Sequence, residues 1–393
     1  MSYLAIAQWV AASDAPEHLK AIMPWEGQSD SFREVLFHGG IPETAFTAFW
    51  LDRMRCKANE SSLPPNFAVN FAGKRPMVMK WLQQNLMPPS GISLTDISVP
   101  ALIAAGWSDH GLHSRGSFEG FKAISSEQKW LYTHGRSKWP VYYSEDARRI
   151  QTDFFDHFLK GLDNGFDMRP RVRLEVRDTL ETYTVRGVED WPLPGTVYAP
   201  YYLNPEDGNL LPDALRDAQS VRYEATEGSA EFRVRFDSET EITGNMKLRL
   251  WVEADSASDM DLFVAIRKYD AAGDEVTFYG KAGYTGAPVA LGWLRVSRRA
   301  LDPERSTPAQ PAQSFESRQK LSARQIVPVE IEILPSGTRF FPGETLEVAI
   351  QGRDHFDHPS LGHKDTVNSG THIIHAGGSF DSHLLLPIIP KNL

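Results

Sequence analysis

"ISVPALIAAGWSDHGLHSRGSFEGF", residues 97–121, carries the reading that decides the fold. Val99–Ala105 is a short, almost unbroken apolar run, and Gly106-Trp107-Ser108-Asp109 closes it. A strand that is apolar at every position is buried on both faces, as in a parallel sheet with helices on either side. Two more runs share this character: Leu19–Met23 earlier in the chain, and Trp130–Tyr132, which leads into Thr133-His134-Gly135. Helical patterns separate the runs. The clearest is "SEDARRIQTDFFDHFLKG", residues 144–161, with Ser144 as N-cap, Glu145 and Asp146 in the first turn and Gly161 at the end. Ile150, Phe154, Phe158 and Leu159 fall on one face of it. Alternation of strands and helices predicts an α/β layer architecture.

Beyond residue 169 the period drops to two. In "RPRVRLEVRD", residues 169–178, Val172, Leu174 and Val176 alternate with Arg171, Arg173, Glu175 and Arg177. Phe232–Phe236, Met246–Val252, Val329–Ile333 and Leu346–Ile350 repeat the pattern. Many half-buried strands with turn-rich connections predict an all-β part, a β-sandwich of jelly-roll type. "DPERSTPAQPAQSFES", residues 302–317, reads as a long surface loop within it. An aromatic, amphipathic helical insertion runs from about Ser31 to Gly91, with Phe46, Phe49 and Trp50, then Phe67, Phe71, Trp81 and Leu82. Such an insert either caps the carboxyl ends of the strands, where ligands bind, or is a packing appendage. The expected layout is 1–30 and 96–168 as the α/β domain, 31–95 as the helical cap and 169–393 as the sandwich.

A chain of 393 residues exceeds what one core usually organises. The net charge of -10, with no basic block, argues against nucleic acid or an anionic membrane as partner. Nothing approaches the run of about 18 apolar residues that spans a bilayer. Cys56 is the only cysteine, so no intrachain disulfide forms, which suits a reducing compartment; the cytoplasm is the expected location. Ten tryptophans and 21 phenylalanines exceed what a small core needs. Trp25, Phe46, Trp50 and Trp107 are the candidates for lining a substrate pocket.

Chemistry-bearing residues follow the apolar runs. Asp109 lies just past Val99–Ala105, His134 just past Trp130–Tyr132, and Ser2 just before a helical stretch that opens at Tyr3. Placed past parallel strands, they converge at one sheet edge, and the chain order Ser, Asp, His is that of α/β-hydrolases. A serine hydroxyl needs a base to take its proton, and an imidazole needs a carboxylate to fix its tautomer. Other clusters carry less. His355, His358, His363, His372 and His375, with Asp354 and Asp357, match no standard metal spacing. Asp255, Asp259 and Asp261 read as turn residues leading a strand, and Cys56 has no activating neighbours in the sequence. No glycine loop suited to phosphate is present, and no metal or cofactor is expected.

Several stretches in the same order resemble the cocaine-esterase and X-Pro dipeptidyl-peptidase (S15-like) family of serine hydrolases. They are "MSYLAIAQWVAASDAPEHLKAIMPWEG", "ISVPALIAAGWSDHGLHSRGSFEGF", "WLYTHG", "WPLPGTVYAPYYL", "SRRALDPERSTP" and "GGSFDSHLLLPIIP". The resemblance implies an α/β-hydrolase domain, a helical cap and a C-terminal jelly roll. It implies Ser2 as nucleophile, from a Gly-x-Ser-Tyr elbow, Asp109 from Gly-Trp-x-Asp as acid, and His134 as base. The backbone N–H of Tyr3 would then serve the oxyanion. It further implies that the chain begins inside the elbow, with Met1 in the x position and the family's earlier strands and oxyanion tyrosine absent. An edge left open near Leu19–Met23 would recruit a second copy, giving a homodimer. Two functions follow: a hydrolase acting through an acyl-enzyme on a small ester, an amide or an X-Pro dipeptidyl bond, or an impaired remnant whose jelly roll is a binding module.

Overall fold

The computed structural model describes residues 1–50 and 93–391, which divide into two compact units. Of the described residues, 1–34, 93–194 and 278–285 form the first unit, and 35–50, 195–277 and 286–391 the second. The expectations placed on Cys56, Phe67, Phe71, Trp81 and Leu82 lie outside the described residues.

In the first unit, β1 (Ala101–Gly106) and β2 (Lys129–His134) pair in parallel from Ala101↔Lys129 to Gly106↔His134. β3 (Val172–Arg177) continues the sheet in parallel beside β2, and β4 (Tyr183–Val188) returns antiparallel to it. Residues 22–26 run parallel to the other edge of β1. Ile22 N–H donates to Pro100 O, and Glu26 N–H to Ala104 O. The predicted Leu19–Met23 strand is thereby moved along the chain and reduced to isolated bridges at Ile22 and Trp25. Pro24 has no N–H to give a ladder, and the N–H of Met23 goes to Gln8 Oε1 at 2.7 Å.

Leu102, Ala104, Trp130 and Tyr132 pack with Trp25 against Ala147, Ile150, Phe154 and Phe166 on one face of the sheet. The residues of opposite parity, Ile103, Ala105 and Leu131, are equally buried, so both faces are covered. The long helix α4 (Glu145–Lys160) matches its predicted limits. Ser144 Oγ accepts from Ala147 N–H, and Gly161 closes the helix at φ +68°. Before it come α1 (Tyr3–Ser13), α2 (Ser114–Ala123) and the single turn α3 (Lys138–Tyr142). α1 and α2 meet where Trp9 crosses Gly120; a Cβ there would stand 2.8 Å from the indole.

The second unit has the predicted alternation, but its ladder closes into a ring rather than stopping at the edges of two sheets. Its strands are β5 (Val197–Asn204), β6 (Asn209–Leu211), β7 (Gln219–Glu224), β8 (Ser229–Arg235), β9 (Thr240–Ala254) and β10 (Asp261–Tyr269). β11 (Ala290–Arg295), β12 (Val327–Phe340), β13 (Thr345–Gln351), β14 (Thr371–Ala376) and β15 (His383–Ile389) follow, and the short Glu275–Val276 pairs with β10. The ring runs β12-β11-β10-β13-β8-β6-β5-β15-β9 and back to β12, with β14 branching from β9 and β7 pairing with β14. Two joins are single pairs, Gly292↔Ile333 and Arg233↔Asn209, whereas β9 and β12 pair over most of their length. The long β9 can serve several neighbours because it bulges after Gly244, at φ +143°. Inward residues such as Leu248, Leu250, Val264, Ile266, Val348 and Ile350 are fully buried. Within the stretch predicted to be a helical cap, Phe37–His38 and Ile41–Pro42 instead form a minimal hairpin, turned by Gly39 and Gly40 at positive φ.

Candidate active site

Ser2 sits between residues held against the sheet and the first turn of α1, at φ +59°, ψ −129°. That backbone conformation is costly for a residue with a Cβ and is found where structure over-determines it. Here the Ser2 N–H lies 3.1 Å from both Trp25 O and Glu26 O, while Ser2 O accepts from Ala5 N–H at 2.8 Å and Ile6 N–H at 3.1 Å. Glu26, immediately opposite, is also strained, at φ +50°. The chain turns sharply at Ser2 into the helix, and the serine hydroxyl faces His113. Tyr3 is the first helical residue, so its backbone belongs to the positive end of α1.

The hydroxyl meets an imidazole. Ser2 Oγ lies 3.1 Å from His113 Nε2, and His113 Nδ1 bonds Asp109 Oδ2. Asp109 and His113 are one turn apart in the loop between β1 and α2, and Asp109 O accepts from His113 N–H at 3.1 Å, which fixes that turn. Ser2 and Asp109 are therefore brought together as the sequence suggests, but through His113. His134, at the carboxyl end of β2, turns its Nε2 to Glu26 Oε1 at 2.7 Å. Both members of that pair are fully buried. Gly106 permits the approach, since a Cβ there would stand 3.2 Å from His134 Cε1 and 3.4 Å from the Glu26 carboxyl.

A lysine ties the two acid–imidazole pairs together. Lys138, the first residue of α3, places Nζ 2.7 Å from Asp109 Oδ2, 3.1 Å from His113 Nδ1 and 4.0 Å from Glu26 Oε2. Burial alone would raise the Asp109 carboxyl, but Lys138 and His113 outweigh it and hold the group well below the usual range. Burial and Lys138 lower His113, against Asp109 and Glu26. Burial would lower Lys138, and the two carboxylates raise it instead. Glu26, Asp109 and His113 could together hold a cation. The Lys138 ammonium already supplies that positive charge.

Sequence reasoning missed His113, Glu26 and Lys138. The Asp-x-x-x-His spacing of Asp109 and His113 was the available signal, since residues four apart share one side of a helical turn. Of the expected pocket residues, Trp25 and Trp107 are buried in the first unit. Trp25 packs on Tyr132 with ring centroids 5.0 Å apart, and Trp107 stacks on Phe118 at 4.9 Å while its Nε1–H donates to Glu175 O. Phe46 and Trp50 stack on each other in the second unit. The C-terminal histidines take separate partners: His363 with Asp354, His372 with Tyr223 and His375 with Glu253.

The pattern of the X-Pro dipeptidyl-peptidase S15 family matches residues 1–136, and that of the X-Pro dipeptidyl-peptidase C-terminal non-catalytic domain matches residues 164–385. The chain belongs to the CocE/NonD and X-Pro dipeptidyl-peptidase hydrolase family. A crystal structure of a CocE/NonD family hydrolase from Staphylococcus aureus is 42% identical, with a TM-score of 0.92 over 99% of this chain and 71% of that one. A cocaine esterase from Rhodococcus sp. (strain MB1 Bresler) is 23% identical over 491 residues, spanning 100% of this chain and 80% of the relative. An alpha-amino acid ester hydrolase, 14% identical with a TM-score of 0.64 over 99% of this chain and 76% of that one, shares the fold. Among the described residues of this family member, no helix is long and apolar enough to cross a membrane.

Proposed function

We propose that the chain is a serine hydrolase that cleaves a small ester, or an amide of the X-Pro dipeptidyl kind, through an acyl-enzyme. The observation that carries this reading is the chain of contacts from Ser2 Oγ to His113 Nε2 and from His113 Nδ1 to Asp109. Ser2 attacks the carbonyl carbon while His113 takes its proton, and Asp109 holds the imidazole in the tautomer that leaves Nε2 free to accept. The developing oxyanion is met by the backbone N–H of Tyr3 at the head of α1. His113 returns the proton to the leaving group, and water repeats the sequence to release the acid. His134, expected from the sequence as the base, becomes a buried support that fixes Glu26. The family descriptions and the esterase relative supply the substrate classes. The second unit we read as a jelly roll whose two sheets meet at the single-pair joins.

Labelling by a fluorophosphonate, with turnover of p-nitrophenyl acetate and Gly-Pro-p-nitroanilide, tests the assignment. Ser2→Ala and His113→Ala should lose labelling, and turnover should fall by about 10⁴-fold or more. His134→Ala should still label. The opposite pattern, with His113→Ala labelled and His134→Ala silent, would return the base to His134. The substrate with the larger acceleration over its own uncatalysed rate assigns the bond.

A further inference from the structure

We propose that Lys138 is a positioning residue that sets the pH range of the hydrolase, by sharing Asp109 Oδ2 with His113 and placing a fixed positive charge against the imidazole. This rests on His113 being the base. Lys138 Nζ is 2.7 Å from the same carboxylate oxygen that receives His113 Nδ1, while Asp109 Oδ1 has no hydrogen-bond partner among the described residues. Ammonium and imidazole therefore compete for one oxygen, with Nζ only 3.1 Å from His113 Nδ1.

In a triad the carboxylate stabilises the imidazolium that forms as the serine loses its proton. A buried ammonium beside that carboxylate cancels part of this help. The imidazole stays neutral, and thus able to act as base, down to lower pH, at some cost in base strength. Burial adds to the same tendency in His113. The charged and titratable groups gathered at the ring are Asp109, Lys138 and Glu26, with His134 bonded to Glu26 and the Met1 amino group coupled to both Glu26 and Lys138. On the adjoining loop, Lys281 Nζ lies 3.5 Å from Gly111 O. Glu26 Oε2, 4.0 Å from Nζ, adds a second anion beside the ammonium, on a residue at φ +50°.

The test is the pH profile of kcat/KM for an activated ester in the wild type, Lys138→Met and Lys138→Arg, which reports the free enzyme's base. Activity rises with pH as His113 loses its proton. Removing the ammonium strengthens the base, so the acid limb of Lys138→Met should move to higher pH while its plateau stays level or rises by up to about tenfold. Lys138→Arg keeps the charge and should keep the limb. The pH dependence of fluorophosphonate labelling should follow the same shifts. A Lys138→Met limb at the wild-type pH with a lower plateau would mean a purely structural lysine and would overturn the inference. His113→Ala separates the two claims. If it abolishes labelling while the limb fails to move, only the role of Lys138 falls; if it labels normally, the base assignment falls and this inference with it.

Discussion

Each of the two units contains a carboxylate–imidazole relay with a buried imidazole, and the relays end differently. In the first, Asp109 bonds His113, and His113 faces the hydroxyl of a serine held at φ +59°. In the second, Asp354 Oδ1 lies 2.8 Å from His363 Nδ1, and His363 Nε2 lies 2.8 Å from Nδ1 of another imidazole, His38. The rings of Trp293 and Phe263 pack around this second relay, with centroids 4.7 Å from His38 and 5.3 Å from His363 respectively. An acid and an imidazole in contact are thus not enough to define a catalytic site. The difference lies in the third member: a serine hydroxyl on a strained backbone at a helix start, or a ring packed among aromatics.

The largest effect that could break this comparison is at Asp109. Asp109→Asn keeps the size of the side chain but removes the charge that orients His113, and leaves Lys138 facing an amide. Turnover should fall by about 10⁴-fold, the order seen when a triad aspartate becomes asparagine. Steady-state rates on p-nitrophenyl acetate would show it. A loss of less than tenfold would mean that the Ser2–His113 contact works without its carboxylate, and the first relay would then be no more catalytic than the second.

The two relays also differ in how far the sequence disclosed them. The strand after Pro100, the α4 helix with its Ser144 and Gly161 ends, and alternating strands such as Ser229–Arg235 were legible, because burial on one face or two imposes a period. Val172–Arg177, read as the first strand of the sandwich, instead continues the parallel sheet of the first unit, which runs on to Pro194. Ser2 and Asp109 were marked by their places, one just before a helix and one just past an apolar strand, and the structure gathers both around His113. The partner of Asp109 was not. His134 follows a buried strand in the expected place, yet the register Gly106↔His134 and the strained Glu26 direct it to a glutamate that nothing local in the sequence marks. Lys138 was hidden because a lysine opening a short helix ordinarily faces water. The ring closure of the second unit was hidden too, since it depends on two single pairs, Gly292↔Ile333 and Arg233↔Asn209, which leave no periodic signal.

A buried carboxylate held by backbone donors sharpens the contrast. Glu34 accepts from Ser29 N–H and Asp30 N–H and lies 3.5 Å from Arg115. Burial nevertheless pushes it up to about 8, with Asp30 adding to the rise and Arg115 and the backbone donors opposing it. Asp109, equally buried, goes the other way because Lys138 is within 2.7 Å. The sign follows from linkage. A carboxyl raised in the fold binds its proton more tightly there than in the unfolded chain, so its stabilisation is complete below about 4.5 and is lost as pH rises to about 8. Denaturant melts from pH 4 to 9 should show a decline over that window, and Glu34→Gln should flatten it. An unchanged slope in the variant would assign the decline to other groups.

The smallest expected effect tests the second relay directly. His363→Ala removes the middle imidazole and strips His38 Nδ1 and Asp354 Oδ1 of the bonds they make to it. Asp354 is partly exposed and regains water, but a buried polar group such as His38 left unsatisfied costs about 1–3 kcal/mol, which lowers the melting temperature by several degrees in a unit of this size. Turnover and fluorophosphonate labelling, measured well below the melt, should stay within about twofold of wild type, since the relay ends on an imidazole and not on a nucleophile. His38→Ala should behave alike, and the double variant should cost less than the sum of the two, because each single change already breaks the His38–His363 bond. If His363→Ala instead cut turnover as deeply as His113→Ala while leaving the melt unchanged, the second relay would have a catalytic part. The rule drawn from the comparison, that the third member decides, would then fail.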